Sequence, residues 1–184
     1  IEDAKSKAQE FGAENRMKFI GADVRDLESI LKGEGRFNLI IRAWTSIGYY
    51  DEDIDMEILA QARALAKPNG LLVIDTVNRD AFMASSLDRL KVYNEYGTLV
   101  VLEEPTPDYS TSRVNTKWRF YSKDGNDLKY IDTVEYNVRQ YSFHELVKSL
   151  SKAGWTTLGA YDHLRTLQPF TPRSSRIVIV ARAL

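Results

Sequence analysis

Apolar residues follow one pattern over the first 78 residues of the chain. Short continuous apolar runs, at residues 17–22, 37–43 and 71–75, alternate with stretches such as 53–66, where apolar positions recur every three to four residues. Continuous runs are typical of strands buried on both faces, and the longer period is typical of helices. This alternation predicts an α/β fold whose parallel sheet is covered by helices on both sides.

The pattern changes after residue 78. Residues 79–90 have a helical period, and from residue 98 to 139 apolar and polar positions alternate, so that Val114, Thr116 and Trp118 share one face of a strand. The Lys-Asp-Gly-Asn segment at 123–126 is typical of a hairpin turn. We therefore predict a small antiparallel sheet inserted into the α/β fold. Its charged residues, Glu103 and Glu104 among them, are expected mostly on a solvated face, with some pointing into a pocket as the alternative.

The last part of the chain returns to helix and strand. Ser142, followed three residues later by Glu145, has the pattern of a capping box that opens a helix over 143–153. Residues 155–161 and 176–182 then predict two closing strands.

The composition limits the classes of function that the chain can have. The 184 residues, 43% of them hydrophobic and 28% charged, predict one folded domain with a sizeable core. A net charge of −1 offers little to hold a nucleic acid. Without cysteine there is no thiolate nucleophile or cysteine-bound metal, and no metal site is predicted. No apolar run of about 18 residues is present, and no signal-peptide pattern, so we expect no membrane partner and a cytoplasmic location.

Candidate site residues stand where the predicted parallel strands end. Ligands of such sheets bind beyond the carboxyl ends of the strands. Asp23, residues 42–46 and residues 75–78 occupy these positions.

Several segments resemble motifs of the class I (Rossmann-like) S-adenosylmethionine-dependent methyltransferases, in a small-molecule-type subfamily. Residues 19–27 (Phe-Ile-Gly-Ala-Asp-Val-Arg-Asp-Leu) are similar to the third-strand motif, and 37–41 with 45–50 to the fourth-strand motif and its Ser-X-Gly-Tyr continuation. Residues 65–75 resemble the Leu-Lys-Pro-Gly-Gly turn and fifth strand, although Asn69 replaces a glycine and Asn38 an aspartate of the pattern. Later landmarks of the subfamily follow in order at 78–80, Trp118, 139–142 and 175–181.

The resemblance implies S-adenosylmethionine as cofactor and a set of site residues. A carboxylate at Asp23 would accept a hydrogen bond from the adenine amino group, with a helix cap as the alternative role. Trp44 would pack on the cofactor, with an ordinary core position as the alternative. No catalytic residue is assigned. The implied cofactor-binding residues are Asp23, Val24, Arg25, Arg42, Ala43 and Trp44. The implied acceptor-binding residues are Ser46, Gly48, Tyr49, Tyr50, Arg79, Trp118 and Tyr141.

The glycine-rich turn after the family's first strand, and the acidic ribose-binding residue after its second, have no counterpart in this sequence. We therefore expect an N-terminally truncated methyltransferase that is inactive alone, with a homodimer as one way to fill the gap. The expected division is a partial Rossmann-like cofactor domain at 1–78, an inserted helix and sheet forming a substrate lid at 79–141, and closing elements of the main sheet at 142–184.

The sequence thus predicts a methyltransferase acting on an unidentified small molecule. A nicotinamide-dependent oxidoreductase on the same fold class is one alternative, although its Gly-X-Gly-X-X-Gly run is not found. A non-catalytic interaction or dimerisation module is the other, because fold analogy alone does not decide function.

Overall fold

The computed structural model describes residues 1–85 and 91–184, which build two β-sheets and five α-helices. The helices are α1 (Glu2–Glu10), α2 (Leu27–Leu31), α3 (Glu52–Leu65), α4 (Arg79–Ser85) and α5 (Phe143–Lys152). The strands are β1 (Phe37–Arg42), β2 (Ala66–Val77), β3 (Val92–Tyr96), β4 (Leu99–Asp108), β5 (Arg113–Asp124), β6 (Asp127–Arg139), β7 (Trp155–Tyr161) and β8 (Arg176–Ala183).

The main sheet has the strand order β1-β2-β8-β7. Strands β1 and β2 are parallel, and β8 runs antiparallel to both of its neighbours. The crossover between the parallel strands is α3, as the helical period predicted. The carboxyl ends of β1 and β2 therefore lie at the same edge of the sheet.

The second sheet is a fully antiparallel meander in the order β3-β4-β5-β6, and it stands in the chain between α4 and α5. Its β5–β6 hairpin turns at Gly125, whose φ of 60° matches the predicted turn. The inserted antiparallel sheet and the fold class are thus confirmed. A register shift next to Phe120 places Tyr130 opposite Tyr121.

The core lies where α3 and α5 pack on the main sheet. Leu59 of α3, Leu146 of α5 and Ile74 of β2 are almost fully buried there. Trp155 fills the centre, and its indole nitrogen donates a hydrogen bond of 3.0 Å to the Leu59 carbonyl. Because a buried indole N–H needs a partner, this bond fixes α3 against β7.

The tight turn before the apolar part of β2 depends on two residues with special backbone requirements. Asn69 has a φ of 61°, in the left-handed region that asparagine tolerates. A Cβ on Gly70 would lie 2.9 Å from the Phe37 carbonyl oxygen, so the close approach to β1 requires glycine there.

Two predictions near the N-terminus are wrong. Residues 17–22 form no strand, although Met17 has extended backbone angles, because a strand needs a partner for its backbone groups and no described strand pairs with it. Strand β1 is not buried on both faces either, since Leu39 is 49% and Ile41 57% exposed. No described element covers that face. The helix predicted over 79–90 is seen as α4, and its residues 86–90 lie outside the described part of the chain.

Within the described residues, no helix is long and apolar enough to cross a membrane.

The start of α5 carries the predicted capping box. The Ser142 hydroxyl and backbone N–H both donate to the Glu145 carboxylate, at 2.7 and 2.8 Å. The Arg139 guanidinium, at the end of β6, adds an ion pair at 2.9 Å. Burial acts to raise the pKa of Glu145, but these bonds outweigh it and lower the pKa from 4.5 to about 2.

This carboxylate makes stability depend on pH. Its pKa is lower in the folded chain than in the unfolded one, so its contribution is complete above about pH 4.5 and is lost as the pH falls towards 2. We expect Glu145→Gln to be less stable than the wild type at pH 7 and to lose less stability over this interval. Urea unfolding between pH 7 and 3 checks this. The control is Glu57→Gln, on the exposed face of α3; equal slopes for both variants would contradict the role of Glu145.

Candidate functional site

A cavity of about 660 Å³ opens between the two sheets, beyond the carboxyl ends of β1 and β2. The main sheet and its loops contribute Trp44, Thr45, Val77 and Arg176 to the lining. The second sheet contributes one face, which includes Glu103, Thr116, Trp118, Val134, Tyr136 and Val138. The second sheet therefore lies over the edge where ligands of α/β sheets bind, as expected for a lid.

The corner after β1 has an unusual backbone. Trp44 and Thr45 both have a φ of 58°, in the left-handed region that is unfavourable for bulky and β-branched residues. Such conformations persist only where the surroundings enforce them, and they concentrate at functional sites. Here the corner turns the Trp44 side chain outward, so that 81% of it is exposed. The alternative of a core tryptophan is excluded.

Asp75, near the end of β2, holds this corner. Its backbone carbonyl accepts from Thr45 N at 3.0 Å, and its carboxylate accepts from Trp44 N at 3.1 Å. The Arg176 guanidinium donates to both carboxylate oxygens, at 2.6 and 2.9 Å, and reaches the Thr45 hydroxyl at 3.3 Å. Because Asp75 is only 3% exposed, its charge depends on Arg176 for compensation.

A second buried carboxylate, Asp55 of α3, fixes the loop that follows the corner. It accepts from the Gly48 backbone at 2.9 Å and from the Tyr141 hydroxyl at 2.8 Å. Arg42 lies 3.6 Å from it and donates to the Ser46 carbonyl at 2.6 Å. Burial raises the pKa of Asp55 and lowers that of Arg42, while burial and the nearby Asp55 raise the pKa of Tyr141.

Gly48 joins this loop to the second sheet. Arg139 N, at the end of β6, donates to the Gly48 carbonyl at 2.7 Å. Gly48 has a φ of 97°, and a Cβ there would stand 2.0 Å from the Arg139 carbonyl oxygen. Only glycine permits this contact, which brings the two walls of the cavity together.

The wall formed by the second sheet is aromatic. The Trp118 and Tyr136 rings meet edge to face with centroids 5.2 Å apart, and Tyr49 lies 6.5 Å from Tyr136. Burial raises the pKa of Tyr136, so its hydroxyl stays protonated at neutral pH. Two buried atoms of this lining, Trp118 Nε1 and Gln140 Oε1, have no hydrogen-bond partner among the described residues. Buried polar atoms normally have partners, so these two atoms are exceptions in this wall.

The structure brings three of the predicted site residues to the cavity: Trp44, Tyr49 and Trp118. Tyr50 lies beside Asp23 instead, with its hydroxyl 3.4 Å from that carboxylate and the Arg25 guanidinium over its ring. The side chain of Ser46 is exposed, and Ala43 continues β1 into the corner.

Asp23 caps a short 3-10 helix, Val24–Asp26, which was the alternative role for it. It accepts from the backbone N–H of Arg25 at 3.0 Å and from its guanidinium at 2.6 Å. Hydrogen bonds from Arg25 lower the pKa of Asp23 to about 2, so the carboxylate is ionised. The prediction that Asp23 ends a parallel strand beside β1 is wrong, because no strand forms there.

The remaining two predicted acceptor residues lie behind the cavity wall. Arg79 donates to the Ser112 hydroxyl at 2.7 Å and to Asp80 at 2.9 Å. Tyr141 is buried, with its hydroxyl on Asp55 and the Arg139 guanidinium over its ring. In the structure both hold elements together, so a direct acceptor contact stays a prediction.

Four polar residues important in the cavity were not among the predicted site residues: Asp75, Glu103, Gln140 and Arg176. Asp75 was among the candidate residues at the strand ends, but no role was predicted for it. Glu103 was expected on a solvated face, and the register of β4 against β5 places it opposite Trp118 on the cavity side. No signal in the sequence pairs Arg176 with an aspartate 101 residues earlier.

Solved structures similar to this one include methyltransferases. An S-adenosylmethionine-dependent methyltransferase from Clostridium acetobutylicum is 17% identical, with a TM-score of 0.81 over 99% of this chain and 70% of its own. The CcbJ methyltransferase from Streptomyces caelestis is 20% identical, with a TM-score of 0.79 over 97% and 68%. An amino pentose methyltransferase from Micromonospora echinaspora is 12% identical, with a TM-score of 0.63 over 94% and 68%.

No protein-family model and no curated protein sequence matches the chain. At these identities the likeness establishes the fold alone. The chain has the Rossmann-like fold of the S-adenosylmethionine-dependent methyltransferases, which confirms the fold predicted from its motifs.

Removing the charge of Asp75 tests whether it holds the corner. We expect Asp75→Asn to lower the free energy of unfolding by about 2 kcal/mol, because the partly buried Arg176 then lacks its counter-charge. Denaturant unfolding measures this. The control is Asp80→Asn, which removes one partner of an exposed pair and should cost less than about 1 kcal/mol.

A double variant separates charge from packing. Adding Arg176→Met to Asp75→Asn should recover part of the loss, since the uncompensated charge is gone. Losses that simply add would show that the two side chains stabilise the fold independently.

Proposed function

We propose that the protein is an S-adenosylmethionine-dependent methyltransferase acting on a small molecule. The observation that carries this proposal is the cavity itself, which lies at the carboxyl edge of a methyltransferase-like sheet under an aromatic lid. Its size, about 660 Å³, suits a small molecule. The similar amino pentose methyltransferase adds support for such an acceptor.

The residues around the end of β1 fit one end of the cofactor. Trp44 offers an exposed indole face for stacking on a base, and Arg42 and Ala43 directly precede it in the chain. Asp23, with Val24 and Arg25 beside it, offers an ionised carboxylate as a hydrogen-bond acceptor. These residues would hold the adenosine part.

When bound, the cofactor supplies a methyl group on a positively charged sulfur. The chain's own residues then need to position the acceptor and exclude water, and an acid–base pair is not a requirement. The Trp44–Thr45 corner positions the acceptor, because Asp75 and Arg176 fix its backbone. The aromatic wall of Trp118 and Tyr136 excludes water.

Neither of the other function classes has a specific observation in its favour. The described cavity lining has no feature that is specific to an oxidoreductase. A purely structural module would not need the strained Trp44–Thr45 corner beside the cavity. Several further statements stay predictions: the N-terminal truncation, the three-part domain division, the cytoplasmic location, the lack of a nucleic-acid partner and the pairing of two copies. The exposed Leu39 and Ile41 of β1 support pairing, which light scattering of an Ile41→Lys variant checks.

Methyl transfer is tested in the full-length protein with labelled S-adenosylmethionine and a panel of amines, alcohols and phenols. We expect transfer to a member of the panel and calorimetric binding of the cofactor. Trp44→Ala should weaken cofactor binding by about 1–3 kcal/mol, the usual effect of losing an aromatic stacking partner. The control Tyr96→Ala removes an exposed ring of β3 and should leave the affinity unchanged. Absence of both binding and transfer would refute the function.

Asp23 is tested separately. Asp23→Ala should weaken cofactor binding by about 1–3 kcal/mol if its carboxylate accepts a hydrogen bond from the adenine. Asp53→Ala is the control, since it removes an exposed aspartate in the first turn of α3 and should leave the affinity unchanged. A cofactor affinity that is unchanged in Asp23→Ala assigns this aspartate to the helix cap alone.

A further inference from the structure

The charge of the cavity is unbalanced. Glu103 and Arg176 are the two charged side chains in its described lining. Arg176 is neutralised by Asp75 through two hydrogen bonds. No cation among the described residues pairs with Glu103, so the lining carries one uncompensated negative charge.

Glu103 is held in place by a neutral group. The amide of Asn94, on β3, donates to one of its oxygens at 2.8 Å, which orients the carboxylate without cancelling its charge. The next residue, Glu104, has the opposite arrangement. It pairs with Lys91 at 2.9 Å and with Arg119, and it is not part of the cavity lining. Of these two consecutive glutamates, only Glu103 therefore presents an unpaired charge to the cavity.

Aromatic rings surround the position of Glu103. Trp118 is its direct partner across the β4–β5 ladder, and the Tyr136 ring meets that indole edge to face. Tyr49 completes the wall from the loop side. Aromatic faces attract cations, and a carboxylate does so more strongly.

We propose that this part of the cavity binds a protonated amine of the acceptor molecule, with Glu103 as its counter-charge and Trp118 and Tyr136 as its walls. The proposal rests on the methyltransferase function and adds the chemical class of the substrate. An anionic acceptor would be repelled by Glu103, and a neutral hydroxyl would not compensate its charge. The positively charged sulfur of the cofactor is the alternative cation for Glu103, and the test distinguishes it from an amine of the acceptor.

Cyclohexylamine and cyclohexanol are suitable probes, because they have similar shapes and differ in charge at neutral pH. We expect calorimetry with the wild-type protein to show amine binding at least about tenfold tighter than alcohol binding. Glu103→Gln should remove this preference by weakening the amine about tenfold and leaving the alcohol unchanged. Glu104→Gln is the matched control and should leave both affinities unchanged. Equal binding of the two probes by the wild type would overturn the proposal.

The cofactor and the reaction distinguish the remaining outcomes. Glu103→Gln should leave the affinity for S-adenosylmethionine unchanged. A loss of cofactor affinity with an unaltered amine preference would assign the carboxylate to the cofactor and overturn the amine site. Transfer to neutral acceptors that Glu103→Gln does not slow would also overturn it, with the methyltransferase function intact. A Glu103-dependent amine preference without transfer to any acceptor would support the amine site and refute the proposed function.

Discussion

The site depends on one buried ion pair. Asp75 ends a parallel strand with its charge out of water, and Arg176, from the last strand, supplies the compensation through both carboxylate oxygens. While it is paired with Arg176, the Asp75 carboxylate also accepts a hydrogen bond from Trp44 N, and the Asp75 backbone carbonyl accepts one from Thr45 N. Two consecutive residues can then stay in a conformation that an isolated chain would avoid. Without this contact from the C-terminal strand, the corner at the end of β1 has nothing to enforce it.

Local patterns in the sequence predicted the elements well. The capping box at Ser142, the hairpin at Gly125 and the alternation through Val114, Thr116 and Trp118 each depend on residues close together in the chain. The exception is the segment at 17–22. Its apolar run matched the strand pattern, but a strand also requires a neighbour with free backbone groups, and this requirement is not written in the run itself.

The chemistry of the site was less predictable because it depends on long-range register. Trp44 could be placed after a strand, but its exposure follows from backbone angles set by Asp75 and Arg176. Glu103 and Glu104 look equivalent in the sequence. Only the pairing of β4 with β5 decides that one faces the cavity beside Trp118 and the other faces Arg119.

The contact between Gly48 and Arg139 connects the two sheets at one side of the cavity. It joins the loop after β1 to the end of β6 through a backbone hydrogen bond, and Arg139 also pairs with Glu52 at the start of α3. Val138, next to this contact, is therefore held close to the loop after β1. Glu103 lies two strands away on β4, so the distance between the two walls of the cavity is fixed less directly there.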